Sequence, residues 1–169
     1  MAEERSIGLE YIKIGATAAD GGMGQTLDTL ALTEKDSAKI TSSEPEVKEF
    51  YAEEEEAPIE VIVTKPAVMT LEFNIHDISP ATLVKVFGGE SAGTPAVYTP
   101  SSQSVELEQS IEVKSLRGHL MKIVRAKMVA SFDWSLNRQE LSKVKIKATV
   151  LTPLKAETAA YTITMPTVT

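Results

Sequence analysis

One pentapeptide of this sequence has the spacing of a hydrolase nucleophile. Gly89-Glu90-Ser91-Ala92-Gly93 fits the G-x-S-x-G pattern, in which a strand leads into the serine and a helix follows it. Here a helical pattern precedes Ser91, Thr94-Pro95 follows it, and His119 is the one histidine downstream. This context is typical of a loop after a helix. The sequence therefore predicts no catalytic residue at Ser91.

Metal and cofactor chemistry have equally little support. A zinc site needs three or four ligands, and the chain has two histidines and no cysteine. His76 adjoins Asp77 just before a predicted helix, where local hydrogen bonds are the ordinary state of both side chains. Gly21, Gly22 and Gly24 lack the Lys-Ser/Thr of a phosphate-binding loop. We predict no catalytic, metal or cofactor site, and no enzyme.

Charge is unevenly distributed along this chain of 169 residues, whose formal net charge is −7. Residues 44–60 hold eight Glu and one Lys, a sum of −7, so the rest of the chain is neutral. Within that rest, residues 114–147 hold nine Lys and Arg against two acidic residues, a sum of +7. The net acidity and the 5% aromatic content argue against a surface that tracks phosphates or stacks bases. The sequence therefore predicts one acidic and one basic segment.

Composition also excludes several classes of protein. With 43% hydrophobic and 24% charged residues, the chain has the composition of a globular protein rather than a disordered one. The absence of cysteine excludes disulfides and thiolate chemistry. No apolar run approaches the ~20 residues that span a bilayer, and the first five residues lack the order of a signal peptide. We expect no membrane insertion, and synthesis and folding in the cytoplasm.

Alternation of apolar and polar residues predicts a mostly β, mostly antiparallel domain. The pattern is clearest over residues 104–114, and it recurs over 120–131 and 143–151. In the last of these, Val144 and Ile146 lie on the face that should be buried. Weaker strands are predicted at residues 37–41, 46–52, 59–64, 68–75 and 160–165.

One helix is predicted over about residues 80–87. Ser79 is a favourable N-cap, Pro80 suits the first helical position, and Gly88-Gly89 suits a left-handed C-terminal cap. A single amphipathic helix must pack on the sheets to be stable. The stripe predicted to pack there consists of Leu83, Val84 and Phe87.

Two stretches lack a strand pattern. Residues 16–24 are small, and this composition indicates a loop or a flexible arm. Residues 90–104 contain Gly93, Pro95 and several Ser and Thr, which indicates a loop with room for a short strand at 96–99.

Four groups of residues, taken in order, carry a resemblance to a known family. The first is residues 7–15 followed by Asp20-Gly21-Gly22. The second is Phe50-Tyr51 followed by the four glutamates 53–56 and Pro58.

The remaining two groups contain the helix and the C-terminal strands. Leu71-Glu72-Phe73 leads into Ile78-Ser79-Pro80, and the segment closes at Phe87-Gly88-Gly89. The last group is the pair of strands around residues 124–132 and 144–153. Together the four groups span residues 7–153, nearly the length of the chain, and their order resembles that of the tail tube (major tail) proteins of bacteriophages.

The resemblance implies an antiparallel β-sandwich or partly closed barrel with one flanking helix, in a single domain of residues 1–169. Residues 1–24 would form a flexible N-terminal arm and the first strand, and residues 44–60 an acidic strand-loop-strand segment. It further implies a virion tail protein, with six copies per ring and rings stacked into a tube whose lumen conducts DNA during ejection. The implied partners are other copies of the chain, the tape-measure protein, tail terminators and, transiently, the passing DNA.

Two alternatives remain open. One is the tube subunit of a contractile injection system, which the sequence does not distinguish from a phage tube. The other is a monomeric β-sandwich that serves as a binding or adhesion module. Such a module would usually be exported and would expose aromatic side chains, so the low aromatic content favours the tube.

Within a tube, the acidic run has two functional interpretations besides that of a solvated loop. It could line the lumen and repel passing DNA. It could instead contact the basic segment of the next ring, because complementary fields steer docking and fix register. We favour the contact, because the run lies between two predicted strands beside Pro58. The residues of this predicted interface are Glu53, Glu54, Glu55 and Glu56 on one side and Lys114, Arg117, Lys122 and Arg125 on the other.

Overall fold

The computed structural model of the chain describes residues 5–103 and 105–166. The regular elements of the described residues are strands with one helix, every strand pairing is antiparallel, and the predicted mostly β fold class is confirmed. The elements are β1 (Tyr11–Ala16), β2 (Asp28–Thr29), β3 (Lys39–Ser42), β4 (Glu46–Phe50), β5 (Glu60–Lys65), β6 (Met69–Ile75), α1 (Pro80–Phe87), β7 (Glu90–Ala92), β8 (Val97–Thr99), β9 (Leu107–Lys114), β10 (Leu120–Asp133), β11 (Lys143–Val150) and β12 (Tyr161–Thr164).

Eight strands form one continuous sheet. Its order is β2-β1-β9-β10-β11-β6-β3, and β12 pairs with β10. Within the described chain the edge strands β2 and β3 do not pair with each other, so the sheet is not closed into a barrel and the sandwich is the alternative that the structure supports. The segment that joins these two strands crosses between the sheet edges. On its way Leu30 enters the core and Thr33 forms a bridge with Ile75 of β6.

The fourteen-residue strand β10 changes neighbours halfway along its length. Its first half pairs with β9 and β12, and its second half pairs with β9 and β11. Between the two halves lies a β-bulge, where Val124 and Arg125 stand opposite the single residue Ser110 of β9. The bulge shifts the buried positions by one residue, from Met121 and Ile123 to even-numbered positions beyond them.

Ser110 satisfies the backbone groups at this bulge. Its side chain is fully buried, its hydroxyl donates to the carbonyl of Val124 at 2.7 Å, and it accepts the N–H of Gly24 at 2.8 Å. A buried polar side chain is favourable only when its hydrogen bonds are made, and here both directions of the hydroxyl are used. Ser110 thus fixes both the bulge and the loop that contains Gly24.

The segment after β1 is a loop, one of the two alternatives predicted for residues 16–24, and this loop packs on the rest of the chain. Within residues 16–24, Gly21, Gly22 and Gly24 are buried, and Asp20 forms an ion pair with Lys155 at 2.7 Å. Small residues are needed because the loop packs closely on the sheet: a Cβ on Gly24 would lie 2.1 Å from the carbonyl oxygen of Ala16. Residues 1–4 of the predicted arm lie outside the described residues.

One cluster of apolar side chains forms the core. It is built mainly from the buried side chains of β1, β6, β9, β10 and β11, with Leu83 and Val86 of α1. The predicted inward face of β11 is confirmed, because Val144, Ile146 and Ala148 are buried. The large side chains that are almost completely buried are Phe73, Ile12, Leu71, Ile75, Ile111, Ile123 and Val144.

The helix α1 has the predicted bounds, but its buried face differs by one position. Leu83 is 6% exposed, as expected, whereas Val84 and Phe87 are only partly buried. Val86, which the predicted stripe omits, is 2% exposed. Both glycines of the predicted C-terminal cap have positive φ, at 75° for Gly88 and 91° for Gly89.

Ser79 is the N-cap residue, as predicted, but its side chain makes no capping hydrogen bond, and Asp77 instead holds the turn that enters the helix. Its carboxylate accepts the N–H of Ser79 at 2.8 Å and the hydroxyl of Thr82. Partial burial raises the pKa of Asp77, but the hydrogen bonds from Thr82 and Ser79 outweigh it, so the pKa lies below its usual value.

The region 90–104 is more regular than the predicted loop. Strands β7 and β8 form a short hairpin in which Glu90 pairs with Thr99, and β8 corresponds to the short strand anticipated at 96–99. Gly89 allows this hairpin to follow the helix directly, because a Cβ there would lie 2.4 Å from the carbonyl oxygen of Thr99.

Ser110→Ala should lower the free energy of unfolding by about 1–3 kcal/mol, because the Gly24 amide and the Val124 carbonyl would both lose a buried partner. Urea unfolding followed by circular dichroism measures the loss. Ser131→Ala is the control, because Ser131 is exposed on β10, and it should change the value by less than about 0.5 kcal/mol. Equal losses in both variants would contradict the role assigned to Ser110.

Leu83→Ala should cost about 2–5 kcal/mol, as expected for a large buried side chain. Phe87→Ala should cost less, because Phe87 is partly exposed and stacks on Phe132 at the surface. Thermal unfolding under conditions that keep the protein monomeric compares the two. A larger loss for Phe87→Ala would show that the helix packs on the sheet through a different face.

Candidate functional site

Strands β4 and β5 form a two-stranded hairpin that is separate from the main sheet. Every residue of both strands is exposed, and each strand pairs with the other alone in the described structure. The glutamates 53–56 lie in the loop at its tip and are themselves exposed, so the acidic strand-loop-strand segment is a projecting feature. Its base is joined to the β3–β6 pair, because the Ser43 amide donates to the Val68 carbonyl at 2.9 Å. Beyond that point its apolar side chains remain in water, and burial against another molecule would be favourable.

The register gives the hairpin two unlike faces. Val47 lies opposite Val63, and Glu49 opposite Val61, so these four side chains share one face. The phenol of Tyr51 donates a hydrogen bond to Glu49, and this bond raises the pKa of Tyr51. We call the surface formed by Val47, Val61, Val63 and the Tyr51–Glu49 pair the apolar hairpin face.

The other hairpin face is mixed. Lys48 lies opposite Ile62, and Phe50 opposite Glu60. The ammonium of Lys48 lies 5.1 Å from the centre of the Phe50 ring, so this face carries charge of both signs beside its apolar groups.

The predicted basic partners of the acidic tip already have partners in their own chain. Lys114 forms an ion pair with Glu10 at 3.0 Å, and Lys122 one with Glu112 at 3.7 Å. Arg117 donates to a backbone carbonyl, that of Arg5, at 3.3 Å. Across the described residues, no ion pair joins the tip glutamates to these cations. A contact with a neighbouring copy remains a prediction.

Arg125, the fourth predicted partner, supports the bulge of β10. Its guanidinium makes two hydrogen bonds of 2.7 Å to the carboxylate of Glu108 and a third, of 3.2 Å, to the carbonyl of Thr152. The hydrogen bonds from Arg125 lower the pKa of Glu108, and the same pair raises the pKa of Arg125. Because this bidentate pair ties β10 to β9 and to the segment after β11, Arg125 has a structural role within the chain.

A second apolar surface lies beside α1. It is an open groove of about 610 Å³ in which Phe87 stacks on Phe132 at 4.4 Å between ring centres, and Trp134 lies 6.2 Å from Phe132. Trp134 is 57% exposed, and the eleven residues that line the groove carry no charge. We call it the helix groove, and its other lining residues are Ile78, Pro80, Leu83, Tyr98, Pro100, Ser101, Gln103 and Val105.

The residues tested for catalysis are not brought together. Ser91 lies on β7 opposite Tyr98 and is exposed. The Nδ1 of His119 lies 3.4 Å from the Ser115 hydroxyl, and the Nδ1 of His76 lies 3.3 Å from the carbonyl of Ser142. In residues 5–103 and 105–166 there is no group of three acidic or histidine side chains that could hold a metal ion.

Comparison with known proteins adds no family. No protein-family model matches the chain, and no curated protein matches it. In the part of the chain that the structure describes, no helix has the length and apolar character needed to cross a membrane. The hairpin and the groove therefore carry the functional argument.

The sequence predicts the acidic tip and marks Phe132 and Trp134 as core or interface anchors, but it does not predict the apolar hairpin face. The run Val61-Ile62-Val63 lies in a predicted strand, but three consecutive apolar residues indicate burial, and nothing in the sequence indicates that all three are exposed. The spacing of Phe132 and Trp134, two residues apart, was a usable signal, because such side chains share one face of a strand.

Glu108→Gln should make stability less sensitive to acid. Because the folded-state pKa of Glu108 is lowered, the ion pair stabilises the fold above the unfolded value of about 4.3, and this contribution is lost as the pH falls through the folded value. The variant should be less stable than the wild type at pH 7, and the difference should shrink toward pH 3. Urea unfolding across this range tests it, with the exposed Glu140→Gln as the control. A difference that stays constant with pH would contradict the assigned ion pair.

Proposed function

We propose that this chain is a structural subunit of a tube, assembling as phage tail tube proteins do into stacked hexameric rings whose lumen conducts DNA. The observation that carries the proposal is the projecting β4–β5 hairpin, with its apolar face and acidic tip. In this proposal the chain belongs to a virion tail assembled in a bacterial host, where it contacts tape-measure and terminator proteins. It has no enzymatic role.

The physical support for the proposal is that no other element of the described chain covers the apolar side chains of the hairpin. Its valines at 47, 61 and 63 are each about half exposed, and no other element covers them in the described structure. A hairpin that binds a different surface of a second copy makes a head-to-tail contact. Repeated contacts of this kind give a ring when they close and a filament when they do not.

The ion pairs within the chain affect which partner the acidic tip could bind in a neighbouring copy. Lys114, Lys122 and Arg125 are held by carboxylates of their own chain, so tip glutamates of a neighbour would have to join these pairs. A tip that lines the lumen needs no cation, because carboxylates repel the phosphates of DNA. The interface remains our preferred interpretation of the tip and the lumen the second, with a solvated loop as the third.

One observation favours the alternative of a monomeric binding module. The helix groove exposes Trp134 next to the stacked pair of Phe87 and Phe132, and exposed aromatic side chains are what a carbohydrate or peptide ligand would use. A tube subunit of a contractile injection system would share the hairpin, and the same assembly experiment applies to it.

Electron microscopy of the purified protein tests the proposal directly. Rings or tubes are expected at high protein concentration. A uniform population of 18.3 kDa monomers under all ionic conditions would overturn the tube and favour the binding module.

Replacing all four tip glutamates with Gln should weaken polymerisation at low salt, if the tip contacts a neighbouring copy. The wild type should lose its advantage as salt rises, because exposed pairs are screened and contribute only ~0–1 kcal/mol each. Light scattering against ionic strength measures this.

The matched control carries the same charge change at exposed sites outside the tip, namely Glu44, Glu90, Glu140 and Glu157 replaced with Gln. Unchanged polymerisation with slowed DNA ejection would place the tip in the lumen. Equal effects of the two quadruple variants would mean that total charge matters rather than the tip.

A further inference from the structure

We propose that the apolar hairpin face of one copy binds in the helix groove of a second copy. This inference rests on the proposed function, because it names the surface to which the projecting hairpin binds. Both surfaces are open in the chain itself: Val61 is 52% exposed on the hairpin, and Trp134 is 57% exposed in the groove.

The two surfaces match in chemistry. The lining of the helix groove carries no charge, so it would penalise any partner that brought an unpaired carboxylate or ammonium into it. The apolar hairpin face presents three valines and one carboxylate, and Tyr51 already donates a hydrogen bond to that carboxylate, Glu49. The mixed face would instead bring Lys48 and Glu60 against the groove. The apolar face is therefore the one that fits.

Charge distinguishes the helix groove from a second, larger groove of the described structure. That second groove lies between the N-terminal segment and the β2–β3 connection, and its lining contains three carboxylates, of Glu10, Glu34 and Asp36, against two lysines. The lining of the helix groove has no charged residue, and Lys143, Lys145 and Lys147, which follow Trp134 in the chain, are already paired with carboxylates of the same chain. Because the hairpin, residues 46–65, holds seven Glu against two Lys, a sum of −5, it is repelled from the second groove and not from the uncharged helix groove.

The same charge argues against a contact between two hairpins. Pairing of two apolar hairpin faces would bring together two hairpins that each sum to −5 over residues 46–65, and like charges placed opposite each other cost several kcal/mol across an interface. The contact is therefore between unlike surfaces. The apolar hairpin face has five residues, against about 20–30 on one side of a standard interface, so a single contact of this kind is weak.

Trp134 provides a reporter because it is the only tryptophan in the chain. On assembly its emission should shift to shorter wavelength and its quenching by acrylamide should fall, because the hairpin of a second copy covers the indole. Val61→Ser should reduce both changes, whereas Ile62→Ser, at the neighbouring position on the mixed face, should leave them as in the wild type. Assembled wild-type protein whose Trp134 is quenched as fast as in the monomer would overturn the inference and leave the tube intact.

Cross-linking gives a second, independent measurement, because the natural chain has no cysteine. Val61→Cys protein mixed with Gln103→Cys protein and oxidised with copper phenanthroline should form the mixed dimer. Ile62→Cys with Gln103→Cys is the control, and it should link at least ~10-fold more slowly, because only a docked pair is held at high effective concentration. Assembly with equal linking from both hairpin positions would refute the groove as the binding surface. Absence of both assembly and linking would overturn the inference and the proposed function together.

Discussion

The bulge in β10 is the feature on which the rest of the structure depends. By placing Val124 and Arg125 opposite Ser110, it shifts the buried phase of β10 by one residue and allows the strand to pair with β12 along one half and β11 along the other. Both halves of the strand thereby contribute buried side chains to a single core, Met121 and Ile123 before the bulge and Ala126 and Met128 after it. The hydroxyl of Ser110 and the guanidinium of Arg125 satisfy the backbone and charge at the bulge. A register without the bulge would turn half of the buried side chains of β10 to solvent.

The strength of local patterns explains what the sequence predicted well. The alternation in β11 and the start and stop signals of α1 act over a few residues, and both elements were placed to within about a residue. The adjacent apolar residues Ile123 and Val124 break the alternation of apolar and polar residues and so indicate the bulge, although the prediction treats residues 120–131 as one regular strand. The sequence predicts that Val84 lies on the buried face of α1, whereas in the structure Val86 lies there. Which side of a helix faces the sheet depends on tertiary packing, which the local pattern does not contain.

The pairing of charged side chains could not be predicted from the sequence. The basic segment of residues 114–147 sums to +7, yet seven of its nine cations form ion pairs with carboxylates within the chain. Strand pairing brings these partners from distant positions, such as Glu10 and Glu34, and a running sum along the sequence does not contain that information. The acidic hairpin keeps its excess charge because no other element packs on it in the described structure.

In the proposed contact, apolar burial would provide the affinity and charge would provide the selectivity. Moving a half-exposed valine into a groove contributes about 1 kcal/mol, and three valines on one face contribute more than the ~0–1 kcal/mol of an exposed ion pair. Affinity would thus come from the apolar hairpin face, while the acidic residues would select the groove and exclude hairpin-to-hairpin pairing. A contact of this modest strength is insufficient for a stable dimer after the cost of association. It becomes sufficient when the same head-to-tail contact is repeated by every copy in a closed ring, so the weakness of the single contact is itself compatible with a subunit that stays monomeric until assembly begins.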